Sequence, residues 1–400
     1  MIKYIFGTYA ITIALFSCTV KNNNERSLKY RVEETKYQLS SHSLILKDTL
    51  YLELDSLSER NFYYENTILT DSMNLYVVFN APDNSLRFYD LKNESLVKKV
   101  NFKIEGPDAL PNQNRFYVHN LDSIFFINKR TSEVSVFDAN GKKVGAKKMT
   151  FPREFQQYAI ELDNFYQFSY IPTTEEVTFW LYPVGEMSYD GYDYWEGSRA
   201  ATYNITTDNL RTYGGFSKHY FEDDQLFEFF EFINGYSSAG NHYLFFHGSP
   251  EVLVYNEDHE LVGAFSIPCD SYTQPKAIMN LGDERPSDEK VNRYHTEVDM
   301  IAKMFSNKSG KYHVRIIKEG VQHEISKNEV RDFYDKPFLI QVLNSDLDVL
   351  IEKKFDGKTH DFYHSFIAGN DLYISYANPL NQGFQNEDVM PFAKYVIVEK

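Results

Sequence analysis

The chain has 400 residues with 41 basic and 57 acidic side chains, a formal charge of −16, and Phe, Trp and Tyr at 16%. So acidic a chain repels the phosphates of nucleic acid and of anionic lipid headgroups. Its two cysteines, Cys18 and Cys269, offer no disulfide framework in place of a packed core.

Lys3 is the single charge ahead of an apolar stretch from Tyr4 to Phe16. A stretch that short is a signal-peptide core rather than a membrane span, which needs about 20 apolar residues. It ends in Leu15-Phe16-Ser17-Cys18, the lipobox pattern of leucine, any residue, a small residue and cysteine. Residues 1–17 are therefore expected to be a lipoprotein signal peptide, with lipid attached at Cys18. More than one acyl chain on that cysteine gives stable membrane anchoring. Residues 18–35, including Asn22-Asn23-Asn24, are polar and aperiodic and read as a tether, leaving 36–400 as one domain. Cys269 then lacks an intramolecular partner and has no recognisable base beside it, so it reads as an idle thiol.

Tyr, Phe, Val, Ile and Thr suit half-buried pleated surfaces, and apolar or alternating runs recur between Asn, Asp, Gly, Ser and Pro clusters. The first four runs are Phe62–Ile68, Leu75–Phe79, Ser85–Tyr89 and Leu96–Phe102. A second set is Arg115–His119, Ser123–Ile127, Glu133–Phe137 and Lys143–Met149. The third is Phe155–Ile160, Phe165–Tyr170, Val177–Tyr182 and Ala200–Thr206, and the fourth Glu228–Ile233, His242–Phe246, Glu251–Tyr255 and Leu261–Ile267. Lys311–Ile317, Phe338–Leu343 and Asp348–Phe355 supply a fifth; Phe362–Ile367, Leu372–Tyr376 and Tyr395–Val398 supply a sixth. The second runs share an Asn or Asp at their start: Asn74, Asp122, Asp163, Asn241 and Asp371. Repeated four-stranded meanders predict an all-β chain, a β-propeller, with six blades favoured over five, seven or a large sandwich. Tyr37–Leu46 can complete the sixth blade and close the ring, removing two open sheet edges. Insertions fall at Pro183–Gly197 and Asp270–Ser309; apolar spacing from Val291 to Phe305 predicts a short helix in the second.

Candidate chemistry is sparse. His360 and His364 are four apart but lie on a strand-like run without a glutamate beside the first. His242 and His247, an odd number apart, face opposite sides of a strand. Asp190, Asp193 and Glu196 share a loop without calcium-loop spacing. No metal, cofactor or catalytic set is assigned. The segment Tyr182–Trp195 is the strongest binding candidate: Tyr189, Tyr192, Tyr194 and Trp195 alternate with carboxylates, as a sugar-binding surface requires.

The lipobox, the Asn-rich tether, the Asn/Asp-led strands and the length together resemble the uncharacterised six-bladed propeller lipoproteins of the Bacteroidetes, a domain family of unknown function. The resemblance implies no catalytic residues. Three functions are compatible: a non-catalytic envelope lipoprotein binding a glycan, peptide or protein; a hydrolase or lyase with its site in the central channel; or a scaffold in an envelope complex. No acidic residue follows Cys18 directly, which favours the outer membrane.

Overall fold

The computed structural model describes residues 30–400 apart from 40, 59–64, 70–73, 111–114, 152–157, 162–167, 184–196, 222–224, 228–232, 281–282, 327–328, 332, 385 and 387. Six antiparallel sheets form a six-bladed β-propeller. Blade one holds Glu65–Leu69, Asn74–Asn80, Ser85–Asp90 and Ser95–Asn101, from channel to rim. Blade two holds Arg115–Asn120, Ser123–Asn128, Glu133–Phe137 and Lys143–Lys148 in the same order. Blade four is Ile233–Ser238, Asn241–Phe246, Ser249–Tyr255 and Leu261–Ser266.

Blade three differs from the pattern of its sequence. Tyr158–Glu161 and Ser169–Ile171 both pair with Glu176–Pro183, so two runs read as separate strands share one innermost position. Ala200–Asn204 follows, and the outer strand is Asn209–Tyr213. That strand is only partly covered, and its apolar pattern is correspondingly weak.

Blade five corrects the helix prediction. The helix spans Asp288–Glu297; the Ser287 side chain caps its start by accepting from the Lys290 amide, and Val298 is already extended. Met300–Ser306 is the blade's innermost strand, followed by His313–Lys318, Phe338–Leu343 and Val349–Phe355. Pairing with His313–Lys318 satisfies the backbone of Met300–Ser306 and buries its apolar residues, so the helical spacing stops at the cap. Lys336 pins this junction by donating from Nζ to the carbonyls of His295 and Val298.

In blade six, Asp361–Ala368, Asp371–Ser375 and Val389–Glu399 come from the end of the chain, and His42–Glu53 supplies the rim strand. The ring is thus closed by an N-terminal strand, a few residues later than Tyr37–Leu46. Upstream, Val32–Glu34 lies parallel to Leu261–Ser266 on blade four, and Tyr37 bridges to Val349 on blade five. The stretch expected to be tether therefore holds a strand. The outer edge of blade four offers open backbone groups, and Tyr30 and Val32 pack on the core there.

A repeated turn explains much of the regularity. Where the third strand meets the fourth, an Asn or Asp side chain accepts backbone amides: Asp90, Asp138, Asn204, Asn256 and Asn344 in blades one to five. Three or four residues later the backbone turns left-handed, at Glu94, Gly141, Asp208, His259 and Leu347. Apolar side chains from adjacent blades interleave; Phe126 of blade two meets Phe102 at 5.1 Å and Phe79 of blade one at 6.3 Å, edge to face.

Candidate functional site

The innermost strands enclose the channel. Neighbouring ones touch directly, and the Ser169 and Ser237 hydroxyls, 3.2 Å apart, link blades three and four. At the end carrying the turns Ser238–Asn241 and Asn307–Lys308 the channel opens into a cup of about 480 Å³, lined by all six blades. Ligand pockets typically measure about 300–1,000 Å³.

The floor is an ion pair. Lys303 Nζ donates to Glu65 Oε1 at 2.8 Å and to the carbonyls of Tyr363 and Ser365 at 2.8 and 2.9 Å. The Tyr76 hydroxyl donates to the other Glu65 oxygen. His364 Nδ1 stands 3.5 Å from Glu65 Oε2, and its Nε2 stands 3.8 Å from Asp361 Oδ2. Burial pushes the Glu65 carboxyl up, but the Lys303 ammonium and His364 outweigh it and hold the group down at about 2. Burial raises Asp361. Burial lowers His364, yet Glu65 and Asp361 together carry it above the ordinary imidazole value. Three blades are thereby tied at the channel, and opposite charges cancel.

Above the floor, blades two and three present an aromatic wall. Tyr170 stacks on Phe125 at 4.2 Å, His119 meets the Tyr170 ring at 5.5 Å, and Tyr117 tilts against Phe168 at 6.2 Å. Burial raises both phenols, so each stays protonated and can donate and accept. Burial and Lys308 lower His119, leaving a neutral imidazole at neutral pH. Thr67 of blade one and Ser306 of blade five also line the cup. Among the described residues, no protein group hydrogen-bonds the half-buried hydroxyls of Thr67, Tyr117, Tyr170 and Ser306. By contrast, Ser237 is committed to His242 Nδ1 at 2.8 Å.

The residues singled out from sequence lie elsewhere or apart. Cys18 and Tyr189, Tyr192, Tyr194, Trp195, Asp190, Asp193 and Glu196 fall outside the described residues. The strand leading into that loop ends at Pro183, which pairs with Tyr158; the Ile171–Glu176 pair marks its other end, beside the cup. His364 joins the channel floor, whereas His360 packs on Phe355 and Tyr376. His242 stacks on His259, and His247 bonds to Asn234 and the Ile301 carbonyl. Cys269 is half-buried beside Ser271, and burial raises its thiol. No three His, Cys, Asp or Glu among the described residues are grouped to hold a metal ion. Sequence reasoning missed Glu65, Lys303, Tyr117, His119 and Tyr170. The available signal was a charge inside an apolar run, such as Lys303 within Met300–Phe305.

The profile of a family described as a domain of unknown function (DUF4221) matches residues 40–354. The chain belongs to that family. A DUF4221 member from Bacteroides vulgatus has a similar crystal structure: TM-score 0.74 at 15% identity, covering 90% of this chain and 99% of that one. A putative exported protein from Bacteroides fragilis is similar at TM-score 0.52 and 10% identity, covering 92% and 100%. Identities this low carry the DUF4221 fold and nothing further. No curated protein matches the sequence.

Proposed function

We propose that this DUF4221 protein is a non-catalytic binding protein of the cell envelope, lipid-anchored at Cys18, whose ligand sits in the channel cup. The observation that carries the binding reading is a roomy, partly aromatic cavity lined by all six blades, with half-buried hydroxyls of Thr67, Tyr117, Tyr170 and Ser306 that no protein group engages. The envelope reading rests on the lipobox at Leu15–Cys18 and on the likeness to a protein described as exported. A glycan, a peptide or a protein segment would each meet the cup through its mouth.

The test is a screen of the full chain on glycan and peptide arrays beside Thr67→Trp, which pushes a bulky ring into the cup. A hit retained by the parent and lost in the variant supports the reading. Equal binding by both removes the cup from it. A second reading, a hydrolase or lyase, draws on the convergence of Glu65, Asp361 and His364. Against it, Lys303 and Tyr76 already occupy both Glu65 oxygens. Turnover of an arrayed ligand, abolished by His364→Gln in a folded chain, would favour the enzyme.

A further inference from the structure

We infer that the cup takes a neutral saccharide, one sugar ring lying against Tyr170 with its hydroxyls reaching Tyr117, Thr67 and Ser306. This rests on the cup being the binding site. Lys303 and Glu65 neutralise each other in the floor at 2.8 Å. The remaining charged side chains of the cup, Lys308 and Glu257, are exposed and opposite in sign. A charged ligand would lose hydration on entry without gaining an unspent counter-ion beside it.

What the inner strands do offer is uncharged. Four hydroxyls on four blades stand free, each able to donate and to accept. A polyol, whose every hydroxyl also does both, matches that set. The aromatic wall supplies the other half. Tyr170 has one face held by Phe125, which fixes the ring as a platform. The axial C–H groups of a pyranose form an apolar face of that shape, and an aromatic ring with a polar tip suits a ligand that is apolar on one side and wet on the other. The hydroxyls come from blades one, two, three and five, so they enter the cup from different inner strands.

The experiment is calorimetric titration of the full chain with glucose, galactose, N-acetylglucosamine and their β-linked disaccharides. Glucuronate serves as the charged counterpart and a pool of neutral tripeptides as the alternative class. Binding of a neutral sugar is expected. Tyr170→Ala should weaken it about tenfold or more and Tyr117→Phe about three- to tenfold, the scale of one lost stacking or hydrogen-bonding partner. Tyr170→Phe, which keeps the platform and loses one hydroxyl, should weaken binding no more than Tyr117→Phe does, about three- to tenfold, and guards against a folding defect in the alanine variant. If only glucuronate or the peptides bind, and Thr67→Trp abolishes that binding, the saccharide inference is wrong and the cup stands. If a sugar binds equally to the parent, Tyr170→Ala and Thr67→Trp, both the inference and the cup fall. Absence of binding by every probe overturns the saccharide inference.

Discussion

Lys303 and Glu65 lie 238 positions apart in the chain and meet at 2.8 Å on the channel floor, bringing a charge from blade five against one from blade one. Both are largely buried, with 14% and 9% of their side chains exposed. Removing one partner of such a pair strands the other in a poorly solvated place, at a cost of about 3–5 kcal/mol. Lys303→Met should therefore lower the urea midpoint sharply, and adding Glu65→Leu should recover most of the loss. An unchanged midpoint in the single variant would show that the pair contributes nothing to closure.

The acid side of the stability profile should be set by buried imidazoles. Burial is the main cause that lowers His242, His313 and His360, each to about 4. Unfolded histidine takes up its proton near pH 6.5. Between about 6.5 and 4 the unfolded chain thus binds more protons than the folded one, and stability falls as pH falls through that window. Melting temperatures followed from about pH 7.5 to about 4.5 should drop most steeply there. Glu65, held at about 2 in the folded chain, takes up its proton at the ordinary glutamate value when unfolded, so it steepens the fall at the acid end of the window. A flat profile over this range would contradict the assignment.

Phe126 sits where four other described phenylalanines converge, Phe116 at 6.2 Å and Phe79 at 6.3 Å joining Phe102 and Phe137. Phe126→Ala should cost about 3–5 kcal/mol through lost burial and the cavity left behind. Val144 on the outer strand of the same blade is 58% exposed, and Val144→Ala should stay within about 0.5 kcal/mol. Chemical denaturation of the two variants side by side measures the difference.

Ring closure depends on the N-terminal strand. Leu44, Leu50 and Leu52 of His42–Glu53 are buried, and the strand pairs along its length with Val389–Glu399. A chain beginning after Glu53 leaves that ladder open and exposes the apolar residues beneath it. It should aggregate or lose its cooperative melt. A soluble truncated chain with the parent's melting temperature would show that the strand is dispensable.

Anchoring is tested in cells. With a clickable fatty acid in the medium, the parent should carry label and fractionate with membranes, and Cys18→Ala should do neither. Label surviving in that variant would exclude the lipobox reading.

The propeller was legible because its signals are local. A third strand that runs into Asp90 or Asn256 carries its turn instruction with it, and the apolar run Ile124–Ile127 needs no distant partner. Blade five was misread where two periodicities overlap: Val291, Tyr294 and Val298 continue helically into Ile301 and Phe305, yet Ser287 and Val298 cap a helix that ends at Glu297. That error hid Lys303, which as an innermost-strand residue would have pointed to the channel. The cup was not legible at all. Its hydroxyls come from different blades, and an unpartnered tyrosine such as Tyr117 looks in sequence like any other strand aromatic.

The most direct test of the cup as the binding site is ¹⁹F NMR of the full chain carrying 3-fluorotyrosine, with the Tyr117 resonance assigned by Tyr117→Phe. Titrated with the neutral sugars, the Tyr117 and Tyr170 resonances should shift together and saturably, while a tyrosine remote from the cup such as Tyr376 stays in place. Saturable binding that moves other tyrosines and leaves Tyr117 and Tyr170 unmoved would contradict the account.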